Sequence, residues 1–527
     1  MQRRNFLLTL SALSTLFAVP PVSAQTLAAT EEFGAREWME QMAAGRISSA
    51  QLVERYLKRI AEIDRNGPKL HSVIELNPDA HSIACALDIE RCSGKLRGVL
   101  HGLPVLLKDN IATGDRMSTS AGSLALDGVH ATRDAYLVQR LRAQGAVILG
   151  KTNLSEWANI RSTRATSGWS GRGGLTRNPY ALDRNTSGSS AGSAAAAAAD
   201  LAALTVGTET DGSIVSPSSI NGVVGLKPTV GRVSRDGIIP ISHTQDTAGP
   251  IVRSVADAAL LLSAIAGADQ HDPATQGAPL PDDYLRALDP HALQGARLGV
   301  AREYFTGNDE VDALIEQAIV QLKALGAEIV DPVDLPKPEY GDAEGLILLT
   351  EFKNDLPLWL ARFAPHAQIK TLADLIAFNE AHRDREMPYF GQELFVKAQS
   401  MGGLDSEAYR KALASCAKLA GEDGIKRVMQ AQRLDALIAP TGGPAWLTDI
   451  VNGDNSGAGF STPAAVAGYP HLTVPAGFVH GLPIGLSFVG LPWSEARLLG
   501  LGYAFEQASR HRRAPQYLKQ TAIPLDI

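Results

Sequence analysis

Ser187-Gly188-Ser189-Ser190-Ala191-Gly192-Ser193 opens an alanine tract, and Leu204-Thr205-Val206-Gly207-Thr208-Glu209-Thr210-Asp211-Gly212-Ser213 follows it. Alanine is the strongest helix former, so residues 194–199 read as a helix. Leu204-Thr205-Val206 reads as a short buried strand. About eighty residues upstream, Leu103 to Leu107 forms a second apolar strand that ends in Lys108-Asp109-Asn110. Together these stretches offer two serines and one lysine.

The same alternation extends in both directions. Ser48 and Ser49 can cap a helix in which Leu52, Val53, Tyr56, Leu57, Ile60 and Ile63 recur at helical spacing. Asn77-Pro78 opens another helix, through about Arg91. Residues 136–142 read as helix, 146–149 as strand, 298–301 as strand, 311–325 as helix and 436–439 as strand, with late strands at 472–474 and 484–489. Helix and strand alternating over short connections predict an α/β protein whose helices cover a central sheet. Residues 268–295, rich in Asp, Pro and Gly, read as a long loop inside one large domain.

Composition is globular, with 45% hydrophobic and 20% charged residues in 527. A net charge of −7 argues against a nucleic-acid surface, which needs clustered Lys and Arg. The basic run Arg510-His511-Arg512-Arg513 reads as a solvated helix end. Arg3-Arg4 precede an apolar run from Asn5 to Val19, too short to span a bilayer comfortably, and Val22-Ser23-Ala24 offers small residues for cleavage. Residues 1–24 are therefore expected to be a signal peptide, and Arg3-Arg4-Asn5-Phe6-Leu7 resembles a twin-arginine export signal. The mature chain, 25–527, is expected in the periplasm or outside the cell. It has no later membrane-spanning stretch and reads as a monomer. Cys85 and Cys92 lie about two helical turns apart, too far to bridge, and Cys416 is distant in sequence.

Two motifs mislead. Gly145-Ala146-Val147-Ile148-Leu149-Gly150-Lys151-Thr152 fits the P-loop pattern, but its four intervening residues favour a buried strand rather than a phosphate-wrapping loop. Gly188-Ser189-Ser190-Ala191-Gly192 fits the nucleophile elbow, which would make Ser190 the nucleophile with His471 or His480 as base. That motif needs an apolar strand just before it, and residues 180–186 are not one. No His or Cys spacing suggests a metal site. His243, seven residues after Asp236, reads as a polar loop residue.

Lys108, Ser189 and Ser213 remain. A serine hydroxyl becomes a nucleophile only when a base takes its proton. Lysine can serve as that base when neutral, which burial favours. By itself, Lys108 reads as a solvated lysine at a strand end.

Further motifs change that reading. Besides the two serine segments, the chain carries Gly102 to Asp109 in the pattern Gly-Leu-Pro-x-x-x-Lys-Asp, Gly225-Leu226-Lys227-Pro228-Thr229, Asp435-Ala436-Leu437-Ile438-Ala439-Pro440-Thr441 and Gly481-Leu482-Pro483-Ile484-Gly485-Leu486. Together they resemble the amidase signature family over nearly the whole mature chain. Thr208-Glu209-Thr210-Asp211-Gly212-Ser213, Thr152-Asn153-Leu154-Ser155-Glu156-Trp157 and Arg172 to Pro179 resemble its peptide amidase branch. The resemblance implies one large mixed β-sheet covered by helices on both faces, and no cofactor or metal. It implies Ser213 as nucleophile, Lys108 as base and Ser189, after a cis Gly188–Ser189 bond, as proton relay. The backbone N–H groups of Thr210, Asp211, Gly212 and Ser213 would form the oxyanion hole.

The implied substrate is a small amide, foremost the C-terminal carboxamide of a peptide, cleaved to acid and ammonia. The alternatives are small or acyl amides, a non-catalytic binding scaffold, and one component of a tRNA-dependent amidotransferase. Two residues depart from the family pattern: Glu209 replaces an Asp, and Asp211 replaces a Gly. Glu209 is expected to be structural. Asp211 must point away from the oxyanion or be paired, and like-charge repulsion from it would disfavour free-acid peptides.

Overall fold

The computed structural model describes residues 32–521 except 282 and 338. The expected signal peptide, 1–24, lies outside the described residues. Thirteen strands follow one another: β1 Val73–Leu76, β2 Pro104–Lys108, β3 Val147–Thr152, β4 Trp169–Ser170, β5 Gly174–Leu175, β6 Leu204–Glu209, β7 Val224–Lys227, β8 Thr247–Val252, β9 Arg297–Val300, β10 Glu328–Val330, β11 Ala436–Pro440, β12 His471–Val479 and β13 Leu482–Val489. Eleven of them build one sheet in the order β1-β3-β2-β6-β8-β7-β12-β13-β11-β9-β10, and β4 and β5 form a separate small hairpin. Pairing is parallel for β3-β2-β6 and for β11-β9-β10, and antiparallel across the middle. The sheet is therefore mixed. Every residue of β2, β3, β6, β7, β8, β11 and β13 is buried, so helices cover both of its faces.

The sequence elements appear with shifted ends. Ser48 caps helix Ser49–Arg59, with Gln51 completing a capping box. The helix expected from Asn77-Pro78 starts at Ala80, because the Asn77 side chain closes a turn onto the Asp79 N–H at 2.9 Å and bonds the Ile148 carbonyl at 2.8 Å. The P-loop look-alike is strand β3, with Lys151 buried among the carbonyls of Ile111 and Ser118 and the Thr119 hydroxyl. The described residues of 268–295 form a loop apart from one short turn of helix at Pro273–Thr275. Cys85, Cys92 and Cys416 are free thiols. Among the described residues no helix is long and apolar enough to cross a membrane.

The alanine tract is helix Ala191–Ala198, buried along its whole length. Small side chains let it lie close against β2, β3 and β6. Its own polar residue binds it to the sheet: Ser193 Oγ donates to the Val206 carbonyl at 3.0 Å, and Thr205 Oγ1 donates to the Ser193 carbonyl at 3.1 Å. At Gly192 an added Cβ would stand 2.3 Å from the Ser72 carbonyl oxygen and 2.5 Å from that of Asn153. Those are backbone atoms with no freedom to yield. Gly192→Ala should therefore lower stability by about 1–3 kcal/mol, the usual range for overpacking. A lower urea midpoint at unchanged slope would show this; an unmoved midpoint would mean that the helix can lift off the sheet at no cost.

Candidate active site

Strands β2 and β6 are parallel neighbours, with Val105 opposite Leu204 and Leu107 opposite Val206. Their C-terminal ends therefore leave the sheet at one edge, where sites on such sheets form. Lys108 ends β2, and Thr208-Glu209 end β6. The helix Ala191–Ala198 starts at the same edge, so Ser189 and Ser190 arrive there too.

Lys108 is fully buried rather than a solvated strand end. Its Nζ donates to Ser189 Oγ at 2.7 Å, to the Thr208 carbonyl at 3.1 Å and to Thr208 Oγ1 at 2.9 Å. Asn110 Nδ2 donates to the same Thr208 hydroxyl at 3.0 Å. All three lysine contacts are neutral, and Lys108 has no ion pair among the described residues. Loss of hydration disfavours the ammonium and pulls its pKa down to about 7, against the opposing charges of Asp246 and Glu209.

The Gly188–Ser189 peptide bond is cis. Ser189 and Ser190 diverge in role. Ser189 meets Lys108, whereas Ser190 Oγ donates to the Thr208 carbonyl at 2.9 Å, and the Ser190 N–H donates to the Ser213 carbonyl at 3.2 Å. That last bond fastens the turn carrying Ser213 to the turn carrying Ser189. The hydrogen bonds among the described residues join Lys108 to Ser189 and leave the Ser213 hydroxyl unengaged.

The elbow alternative fails on position. His471 lies within β12, its Nε2 2.6 Å from Ser487 Oγ, and burial and the charge of Lys227 hold its pKa near 3. His480 pairs with Glu310 at the surface, at 2.6 Å. Asp236 and His243 do not meet as ligands. Asp236 pairs with Arg133 and Arg362, and His243 lies between Glu351 and Asp355. The atoms of this last trio are close enough to hold an ion, but both ring nitrogens of His243 already face carboxylates.

Between β6 and helix Val215–Ile220 the chain makes a tight turn through Gly212, whose φ of 77° suits glycine. Glu209 Oε2 accepts the N–H groups of Ile214 and Val215 at 2.7 and 3.0 Å. Its expected structural role is thereby visible: it caps the helix that follows Ser213. The N–H groups of Thr210, Asp211, Gly212 and Ser213 make no hydrogen bond among the described residues. Four consecutive unclaimed donors in a largely buried turn leave backbone N–H groups available to an anionic ligand.

Asp211 is paired and turned aside, accepting from Thr462 Oγ1 at 2.7 Å. Burial raises the pKa of its carboxyl, and the hydroxyls of Ser461 and Thr462 lower it. Nearby Glu344 is pushed up to about 8, first by burial and then by the Asp211 charge. Beside this turn opens a cavity of about 210 Å³, lined by Ser216, Ile220, Gly442, Trp446, Ser461 and Thr462. Sequence reading did not single out Thr208, Asn110, Asp246 or Glu344. Thr208 and Asn110 lie within the quoted stretches but were given no role, whereas Asp246 and Glu344 carry no local signal.

A neutral amine against a serine hydroxyl, beside unclaimed N–H groups, can accept a proton and hold an oxyanion. The family model described as Amidase matches residues 51–499. The crystal structure of the native peptide amidase from Stenotrophomonas maltophilia is 52% identical with a TM-score of 0.89, covering 92% of this chain and 99% of that one. A probable amidase from Arabidopsis thaliana is 42% identical over 90% of this chain and 89% of its own length. A putative amidase from Arthroderma benhamiae is 38% identical over 89% of this chain and 80% of its own length. The chain belongs to the amidase signature family and is an amidase.

Proposed function

We propose that this amidase hydrolyses the C-terminal carboxamide of peptides to free acid and ammonia through an acyl-enzyme on Ser213. The observation that carries the chemistry is the buried Lys108 amine, 2.7 Å from Ser189 and without a counter-ion among the described residues. In its neutral form Lys108 takes the Ser189 proton while Ser189 takes that of Ser213. The Ser213 oxygen adds to the carboxamide carbon, and the oxyanion rests on the N–H groups of residues 210–213. The proton held on Lys108 returns through Ser189 to the leaving nitrogen, and ammonia departs. Water then cleaves the ester by the same proton route, which releases the acid and restores Ser213. The substrate class is supported by the similarity to peptide amidase, by the adjoining cavity and by the Asp211 carboxyl beside the turn, whose charge repels a substrate carboxylate.

Ammonia release from an amidated dipeptide tests this. Ser213→Ala should reduce it by about 10⁴-fold or more, as loss of a serine nucleophile does elsewhere. Undiminished release would remove Ser213 from the chemistry. Release only from simple aryl or short acyl amides would keep the mechanism and reject the peptide substrate. In Asp211→Asn, the free-acid dipeptide should bind about tenfold more tightly, the equivalent of about 1.4 kcal/mol of relieved repulsion. Unchanged inhibition by the free acid would leave Asp211 without a role in selectivity.

A further inference from the structure

In the segment before β8, residues 242–245 are tied to one face of helix Gly341–Phe363. Ser242 Oγ donates to Glu351 Oε2 at 2.5 Å, and the N–H and hydroxyl of Thr244 reach the same oxygen at 3.1 Å each. His243 Nδ1 meets Asp355 Oδ2 at 2.7 Å, and its Nε2 lies 3.4 Å from Glu351 Oε1. Gln245 Nε2 donates to Glu344 Oε1 at 3.0 Å. Glu344, Glu351 and Asp355 recur at a spacing that places them on one side of the helix.

The inner end of this segment grips the oxyanion turn. Asp246 Oδ1 accepts from Thr210 Oγ1 at 2.6 Å, while Oδ2 accepts the N–H groups of Ile241 and Ser242 at 2.8 and 2.9 Å. Gln245 Nε2 also reaches the Thr210 carbonyl at 3.4 Å. Thr210, the first of the four unclaimed donors, is thus held by its hydroxyl and its carbonyl, and its N–H stays free.

We propose that Asp246 is a positioning residue for amide hydrolysis: through the Thr210 hydroxyl it sets the place of the first oxyanion donor. The inference rests on the proposed catalytic roles of Lys108, Ser213 and the N–H row. Asp246 and Glu209 are the carboxylates whose charges act on Lys108. Arg235 is the cation that acts on Asp246, and Arg235 pairs with Asp272. Glu344, Glu351, Asp355 and His243 stand along the outer side of the segment. Burial pushes the Asp246 carboxyl up to about 6, against the bonds from Thr210, Ser242 and Ile241. Above that pH its carboxylate favours the Lys108 ammonium, so removing the charge makes Lys108 neutral at lower pH.

Asp246→Asn, Thr210→Val and the double variant test this in steady-state hydrolysis of an amidated dipeptide, with Ser213→Ala as reference. Asp246→Asn should lower kcat about tenfold to a hundredfold with KM little changed, since a displaced donor is missed mainly in the transition state. The acid limb of kcat/KM should move to lower pH. The double variant should be no slower than the slower single, because both changes break one contact. A kcat within twofold of the parent with an unmoved acid limb would overturn the proposal, as would a loss confined to KM or fully additive losses. If Asp246→Asn does not fold, Thr210→Val decides: a lowered kcat supports the proposal and an unchanged one overturns it. Hydrolysis that persists in Ser213→Ala overturns the catalytic reading itself. Ser213-dependent hydrolysis indifferent to Asp246→Asn overturns this inference alone.

Discussion

The burial of one amine without a counter-ion is the constraint on which the site depends. A charged ammonium taken out of water costs several kcal/mol unless it is paired. Lys108 has only hydroxyl and carbonyl partners, so the neutral amine becomes competitive near pH 7. Two other buried lysines have neutral partners too, but none of those partners is Ser189. Lys151 is spent on the carbonyls of Ile111 and Ser118 and the Thr119 hydroxyl. Lys227 donates to the Pro228 carbonyl and is held near 8, the charges of Glu209 and Glu495 partly offsetting its burial. Of the three, Lys108 is the one that meets the hydroxyl of Ser189.

Several features of the fold serve that contact. Parallel pairing of β2 with β6 brings Lys108 and Thr208 out at one edge. The alanine helix, seated close to the sheet because it lacks bulk, delivers Ser189 from above them. Glu209 consumes the N–H groups of Ile214 and Val215, which leaves the four preceding ones for a ligand. A longer carboxylate in place of the usual Asp still reaches the helix end, so the substitution changes the cap's arm and not its purpose. Asp211 is compatible with an oxyanion because its side chain turns to Thr462.

Much of this was legible in the sequence. The apolar run before Lys108, the alanine tract and the strand before Glu209 announced themselves through local propensity and pattern. The burial of Lys108 did not, since a lysine closing an apolar strand is as well suited to solvent. That distinction depends on Thr208 and Ser189, each at least eighty positions away. Helix Gly341–Phe363 was not read at all; it begins with Gly341 and Gly345 and contains Pro357, residues that blur a helical pattern. With that helix went the acidic face that grips residues 242–245. Asp246 and Glu344 gave no signal because Thr210 and Gln245, the partners that tie them to the site, are brought to them only by the packing of distant segments.

The central claim is that Lys108, neutral near pH 7, activates Ser213 through Ser189. The most direct measurement is the rate at which a serine-reactive phosphonate labels the protein as a function of pH, with the adduct located by peptide mass spectrometry. Labelling needs no assumption about substrate. The account predicts an adduct on Ser213, a rate that rises through a midpoint near 7, and near-complete loss of labelling in Lys108→Met. An adduct on Ser189 or Ser190, or a midpoint near the ordinary lysine value of about 10.4, would contradict it.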